Sequence, residues 1–302
     1  QDCKFIETKL IMKKTLRKYI FKVKDLLLPK VTGEAACELI KKELLSERPV
    51  MIARLGAVEI KTVLYSILSP PIKYLLTNYV YKHLHTNAGF FPVNVGSIDK
   101  FGKLMIESMK QVDILASWRP EELFFKKDLR QSIRISLGDL GPTASECYSW
   151  SSVLKGKRIL VIHPFAKSIE RQYHENREKL FDNPYILPEF KSLQTITAVQ
   201  TIAGDTAGFG SWFAALEYME NEISGKDFDI ALIGCGAYGF PLASFVKSIG
   251  KKAVHIGRPL QLFFGIKGKR WDNSGLYNDY WVSPSTDEKP IELNKVEDGC
   301  YW

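Results

Sequence analysis

The sequence predicts an α/β protein with a doubly wound, mainly parallel sheet and helices on both faces. Short apolar runs rich in β-branched residues alternate with longer segments of helical periodicity along most of the chain. Several runs lead directly into glycine turns, as in "VMIARLG" and "ALIGCG". Strands of a parallel sheet that is covered on both faces have this near-continuous apolar character.

The first half of the chain contains two clear strands. Residues 34–47 have helical periodicity, and Val50–Ala53 form an apolar run that turns at Gly56. A helix is expected to follow and to stop at the two prolines at positions 70 and 71. Residues 99–111 predict another helix and "VDILASW" predicts a strand, whereas residues 119–150 have a mixed pattern that predicts no single element.

The second half alternates strands and helices more regularly. Residues 158–162 predict a strand that ends at His163, and a helix is expected over residues 167–181. Strands are then predicted in "LQTITAV", "FDIALIGCG" and "KKAVHIG", with helices in "GSWFAALEYMENEIS" and "FPLASFVKSIG" between them. We therefore expect a single domain over residues 31–302 with a C-terminal cap, preceded by a basic helix over residues 1–30.

Charge is concentrated at the N-terminus. The net charge is +8, and residues 1–30 alone carry nine Lys or Arg against three Asp or Glu. The rest of the chain is therefore nearly neutral, which argues against a nucleic-acid partner because such proteins carry their basic surface on the folded domain. Five cysteines are widely spaced without a C-x-x-C pair, which favours a reducing, cytoplasmic location.

The N-terminal segment predicts an amphipathic helix that ends at Pro29. Lysines and Arg17 occupy most of the face opposite the apolar one. One interpretation is a helix packed on the domain with a solvated charged face. A second is a helix that lies on an anionic membrane leaflet, at the inner face of the plasma membrane, and a third is a polyanion-binding arm. The apolar positions are Met12, Leu16, Tyr19, Ile20, Val23, Leu26 and Leu27.

A glycine turn follows the strand in "DIALIGCGAYG". Gly234, Gly236 and Gly239 have the spacing of a dinucleotide-binding fingerprint, with a strand before and a helix after. The acidic residue that such a site needs about 20 residues later, for the ribose hydroxyls, is absent. Arg258 stands nearby instead and suits the extra phosphate of NADP. An NADP-dependent oxidoreductase and a purely structural turn both remain open interpretations.

A cationic segment follows the next strand. Arginine binds a diphosphate through paired hydrogen bonds and lysine binds it as a point charge, so three cations in "KGKR" indicate a diphosphate site beside the glycine turn. An ordinary solvated loop is the alternative. The candidates in this segment are His255, Arg258, Gln261, Lys267, Lys269 and Arg270.

Two further strand ends carry candidate residues. In "ARLGAVE", Arg54 ends a strand and Glu59 starts a helix, where a carboxylate is a general base, a metal ligand or only a charge stabilised by the helix dipole. His163 ends another strand and is a candidate for binding a substrate hydroxyl or pyrophosphate. The sequence has neither a G-x-S-x-G elbow nor a G-x-x-x-x-G-K-[ST] loop, so serine hydrolase and P-loop kinase chemistry are unsupported.

In combination, "MIARLGAVE", "HPFAKSIERQY", "ALIGCGAYGFPLASFVKSIGKKAVHIG" and "LQLFFGIKGKRW" resemble the bacterial surface-polysaccharide glycosyltransferases of the GT-D type. Members of that family carry an "RFGDGE"-like turn. The resemblance implies a Rossmann-like domain and a nucleotide-sugar donor, with an Asp-x-Glu pair that helps to hold Mn²⁺ or Mg²⁺. Here the matching positions are Ala57 and Glu59, which puts the metal in doubt and leaves Glu59 as base or donor ligand.

The resemblance therefore predicts a glycosyltransferase. It would move a hexose from a nucleotide-diphosphate sugar, with UDP favoured, to a growing glycan or lipid-linked acceptor such as O-antigen lipopolysaccharide or capsule. The alternatives are an NADP-dependent oxidoreductase and a non-catalytic nucleotide-sugar-binding partner. Glu59 is the predicted catalytic residue, and the predicted donor-binding residues are Arg54, Gly56, His163, Gly234, Gly236, Tyr238, Gly239, His255, Arg258, Gln261, Lys267, Lys269 and Arg270.

Overall fold

A computed structural model describes residues 20, 22–141, 149–201, 204–290, 299–300 and 302 of the chain. Within these residues, seven strands form one all-parallel sheet in the order β3-β2-β1-β7-β6-β4-β5. The predicted doubly wound α/β fold is confirmed. The strands are β1 (Val50–Ala53), β2 (Ile114–Ser117), β3 (Ile133–Ser136), β4 (Arg158–His163), β5 (Ser192–Thr197), β6 (Ile230–Ile233) and β7 (Lys252–His255).

Helices cover both faces of the sheet. Helices α2, α3, α4, α7 and α8 pack on one face, and α1, α5, α6 and α9 pack on the other. The helices are α1 (Glu34–Leu45), α2 (Ala57–Ile67), α3 (Pro70–Ala88), α4 (Val95–Met109), α5 (Leu137–Leu140), α6 (Ala166–Asn176), α7 (Trp212–Ser224), α8 (Gly239–Ser248) and α9 (Leu260–Phe263). Short 3₁₀ segments are Pro120–Phe125, Trp150–Leu154, Arg177–Lys179, Gly236–Tyr238, Lys269–Trp271 and Thr286–Glu288.

Successive side chains along each strand point alternately into two hydrophobic cores, one on each face of the sheet. Met51 and Ala53 of β1 face one core, while Val50 and Ile52 face the other, and all four are fully buried. Both faces are apolar because helices cover both, which explains the unbroken apolar run in the sequence.

The connections define a crevice at the carboxyl edge of the sheet. After β4 the chain enters α6 on one face, and after the neighbouring β6 it enters α8 on the opposite face. Two adjacent strands whose connections leave toward opposite faces form a topological switch point, where ligands bind in open α/β sheets.

Three parts of the fold differ from the sequence prediction. Helix α2 ends at Ile67, before the two prolines as predicted, but the prolines at 70 and 71 then begin the unpredicted helix α3, because proline is well tolerated at the first helical positions. The mixed region contains β3, whose residues pair along β2. In the basic segment, of which residues 1–19 and 21 lie outside the described part, Lys24 is fully buried while Val23, Leu26 and Leu27 are exposed.

Lys24 is buried because it reaches a polar cluster at the end of β2. Its ammonium donates to Ser117 Oγ at 2.5 Å and lies 3.6 Å from the Glu122 carboxylate, which is itself fully buried. Glu122 also accepts hydrogen bonds from the backbone N–H groups of Trp118 and Arg119. Burial lowers the pKa of Lys24, and Glu122 opposes that shift.

The part of the chain that the structure describes forms no helix with both the length and the apolar character that a membrane span requires.

The Lys24–Glu122 pair is expected to stabilise the fold. Lys24→Ala leaves a buried carboxylate without its counter-charge, which costs about 3 kcal/mol. Lys22→Ala is the matched control, because Lys22 is exposed two residues away and its loss costs less than about 0.5 kcal/mol. Urea unfolding measures both; equal midpoints for the two variants would contradict this role.

Candidate functional site

A continuous cleft lies at the carboxyl edge of the sheet, in two parts. The glycine-turn pocket is lined mainly by residues at or just after the ends of β4, β5 and β6, including His163, Thr201 and Tyr238. The arginine cleft is lined by residues that follow β1, β2 and β7 and encloses about 1210 Å³, including space open to solvent. Asn87, Gly236 and Arg258 line both parts.

Three glycines let the strand ends approach one another. A Cβ on Gly234 would lie 2.7 Å from Cδ2 of His163, and a Cβ on Gly239 would lie 2.2 Å from Cε1 of His255. A Cβ on Gly257 would lie 2.4 Å from Nη2 of Arg54. Real Cβ atoms do not approach other atoms this closely, so these glycines are required for packing.

Gly236 differs from the other glycines of the turn. Its φ of +58° is left-handed, and a Cβ there would meet no atom within 4 Å. Its backbone lines both parts of the cleft. The absence of a side chain therefore leaves room in the cleft itself, at the point where a ligand can approach the main chain.

The two buried histidines are neutral. Burial lowers the pKa of His163 to about 3, with Arg258 adding to the shift, and burial together with Arg54 lowers that of His255 to about 3. The Phe165 backbone N–H donates to Nδ1 of His163 at 3.0 Å, so the ring carries its proton on Nε2. His163 lines the pocket as a neutral hydrogen-bond donor.

Three arginines give the arginine cleft its positive charge. Arg54 follows β1, Arg258 follows β7, and Arg270 lies in the Lys269–Trp271 turn. The Arg54 guanidinium occupies the space that a side chain at Gly257 would fill. Guanidinium groups at the end of a parallel sheet suit a phosphate or diphosphate.

Glu59 is the single carboxylate among the described residues that line either part of the cleft. It lies in the first turn of α2, and its side chain folds back over Gly56, where a Cβ would lie 1.9 Å from Oε2. The described residues contain no group of three or more His, Cys, Asp or Glu placed to hold a metal ion. Glu59 is the one carboxylate of this lining and Ala57 has no side-chain oxygen, so the described residues do not fit a divalent metal.

The structure brings together most of the residues singled out by sequence. Ten line the cleft: Arg54, Gly56, Glu59, His163, Gly234, Gly236, Tyr238, Arg258, Gln261 and Arg270. Four do not: Gly239 and His255 lie beneath the turn against each other, and Lys267 and Lys269 lie outside the lining.

Two of the predicted residues also have structural partners. Gln261 is buried and donates through Nε2 to the Lys267 backbone carbonyl at 2.9 Å, which holds the loop that carries the cations. The Tyr238 hydroxyl lies 2.8 Å from Thr201 Oγ1, and its ring stacks on Trp212. Burial raises the pKa of Tyr238, so the phenol is neutral.

Several lining residues were not predicted. Trp118 directly follows β2 and donates through Nε1 to the Leu55 carbonyl at 2.8 Å, so the rule that sites follow strands identifies its position. Asn87 comes from the end of α3, and Phe165 and Trp302 bring aromatic rings to the glycine-turn pocket. Trp302 is far from any strand, and no signal in the sequence indicates its place.

No family model and no curated protein matches the sequence. A solved structure, that of the selenomethionine-substituted domain of unknown function 1792, matches with 12% identity over 93% of this chain and 92% of that chain. Its TM-score is 0.47.

The packing of Arg54 on Gly257 gives a testable expectation. Gly257→Ala places a methyl group against the guanidinium, so affinity for inorganic pyrophosphate should fall about tenfold. Gly250→Ala is the matched control, because Gly250 has nearly the same φ of +80° but no atom within 4 Å of its Cβ. Both variants bear the strain of a left-handed alanine, about 1 kcal/mol. Equal pyrophosphate affinities, measured by calorimetry, would contradict the role given to Arg54.

Proposed function

We propose that the chain is a glycosyltransferase that moves a hexose from a nucleoside-diphosphate sugar, with UDP favoured, to a cell-surface glycan. The observation that carries the proposal is the cleft itself, which combines three arginines with one carboxylate over an open glycine turn. The donor and surface-glycan classes come from the sequence resemblance to the GT-D type enzymes.

The two parts of the cleft suit the two ends of such a donor. The ring centroids of Phe165 and Trp302 lie 6.3 Å apart in the glycine-turn pocket. The guanidinium carbon of Arg258 lies 5.8 Å from the centroid of the Trp302 ring. Aromatic walls with a few polar groups favour the nucleoside. Arg258 lines both parts, so the diphosphate bridges them over Gly236, and the larger arginine cleft takes the sugar.

The proposed reaction is a displacement at the anomeric carbon. Glu59 accepts the proton of the acceptor hydroxyl, whose oxygen forms a bond to that carbon. The bond from the anomeric carbon to the diphosphate oxygen breaks, and the nucleoside diphosphate leaves with the electron pair. Arg54, Arg258 and Arg270 stabilise the charge that develops on the leaving group, a role that fixed cations perform well in a partly closed site.

The partners follow from the same proposal. The acceptor is a glycan or lipid-linked glycan, and the chain would act in the cytoplasm at the inner face of the plasma membrane. The exposed apolar residues Val23, Leu26 and Leu27 support contact of the N-terminal segment with an anionic membrane.

The proposed base can be tested on slow hydrolysis of the donor, with water as acceptor. UDP-, GDP-, dTDP- and CMP-sugars would be incubated with EDTA or Mn²⁺, and the released nucleotide measured. One sugar nucleotide should turn over without metal, and Glu59→Gln should lower its rate at least about 100-fold while donor affinity stays within about twofold. Unchanged turnover by Glu59→Gln would refute the base, and binding of NADP alone would refute the transferase.

A further inference from the structure

An exposed apolar surface lies on the side of the sheet covered by α2 and α3. Tyr74 and Leu75 are 84% and 80% exposed. Only the second half of α3 is anchored in the core, through Val80, Leu84 and Ala88. We call this surface the Tyr74 patch; its residues are Ile67, Ile72, Tyr74, Leu75, Leu76 and Tyr79. Large apolar side chains exposed together along one helix and the turn before it indicate an interaction site.

The chain segment that carries the Tyr74 patch is basic. Residues 60–98 contain three lysines and two histidines and no Asp or Glu. Lys82 is exposed, and Lys73 lies 3.6 Å from Asp99, just beyond this segment. An apolar surface with tyrosines and a cationic border complements an anionic bilayer, in which leucine enters the acyl boundary, tyrosine sits at the headgroups and lysine binds lipid charge.

A groove connects the Tyr74 patch with the arginine cleft. It is lined in part by Lys61, Tyr79 and His83, and it shares Ala57, Val58 and Asn87 with the arginine cleft. The Lys61 ammonium lies 3.2 Å from the Tyr79 hydroxyl, and the Tyr79 and His83 rings are 4.3 Å apart. Rings and hydrogen-bond donors of this kind suit a carbohydrate chain.

We infer that the Tyr74 patch docks on an anionic lipid bilayer and that the groove leads the glycan of a lipid-linked acceptor from that surface to Glu59. The docking is inferred from the exposure of the Tyr74 patch and the charge of its chain segment, and it does not depend on the transferase function. The assignment of the acceptor as lipid-linked rests on the proposed transferase function. This surface is separate in sequence from residues 1–30.

The docking is tested by flotation with vesicles of phosphatidylcholine alone or with about one third phosphatidylglycerol. Wild type should float with the anionic vesicles, and less so at high salt. Tyr74→Ser/Leu75→Ser should lower the partition coefficient about tenfold. Tyr185→Ser is the matched control, because Tyr185 is 63% exposed outside the patch, and it should bind as wild type does.

Other outcomes would overturn the inference. Failure of wild type to float, equal flotation of the double variant, or loss of binding only in Val23→Ser/Leu26→Ser would remove the Tyr74 patch as a docking surface. A homodimer that Tyr74→Ser/Leu75→Ser dissociates, measured by light scattering, would make the patch a subunit interface instead. Flotation needs no nucleotide, so it succeeds or fails independently of donor hydrolysis.

Discussion

The close approach of backbone to side chain at three glycines is the constraint on which the site depends. The His163 ring packs against Gly234, the His255 ring packs against Gly239, and the Arg54 guanidinium packs against Gly257. Each group lies at a distance that a Cβ on the glycine would prevent. These contacts join the carboxyl ends of β4, β6, β7 and β1. These glycines therefore allow the edge of the sheet to assemble, whereas Gly236, unlike the other three, leaves its space to the cleft.

The positive charge of the arginine cleft follows from the same arrangement of strand ends. The buried histidines are neutral because burial and the neighbouring arginines lower their pKa values, so they add no charge that would compete with Arg54 and Arg258. The body of the chain is nearly neutral outside residues 1–30, yet the arginine cleft gathers three arginines and one carboxylate. The cationic character of the site comes from topology, which brings distant strand ends to one edge.

The sequence predicted the sheet well because buried parallel strands leave unbroken apolar runs, and β1 was placed at its observed bounds. It did not predict α3, since proline begins some helices and ends others, nor the burial of Lys24, whose partners Ser117 and Glu122 are about 100 residues away. Most of the predicted lining residues lie at or just after strand ends, where ligands bind in parallel sheets, although Trp118 and Phe165 occupy such positions and were missed. Asn87 comes from a helix end, and such a position depends on packing that periodicity does not encode.

The most direct test is calorimetric titration of nucleoside diphosphates and NADP into wild type and Gly236→Asn. Asparagine tolerates the left-handed backbone, and its side chain enters open space, so the variant should keep its fold and fill the cleft. We expect that one nucleoside diphosphate binds wild type without metal and that NADP does not. Gly236→Asn should lose at least about tenfold in affinity with an unchanged unfolding midpoint. Full affinity in Gly236→Asn, or binding of NADP alone, would contradict it.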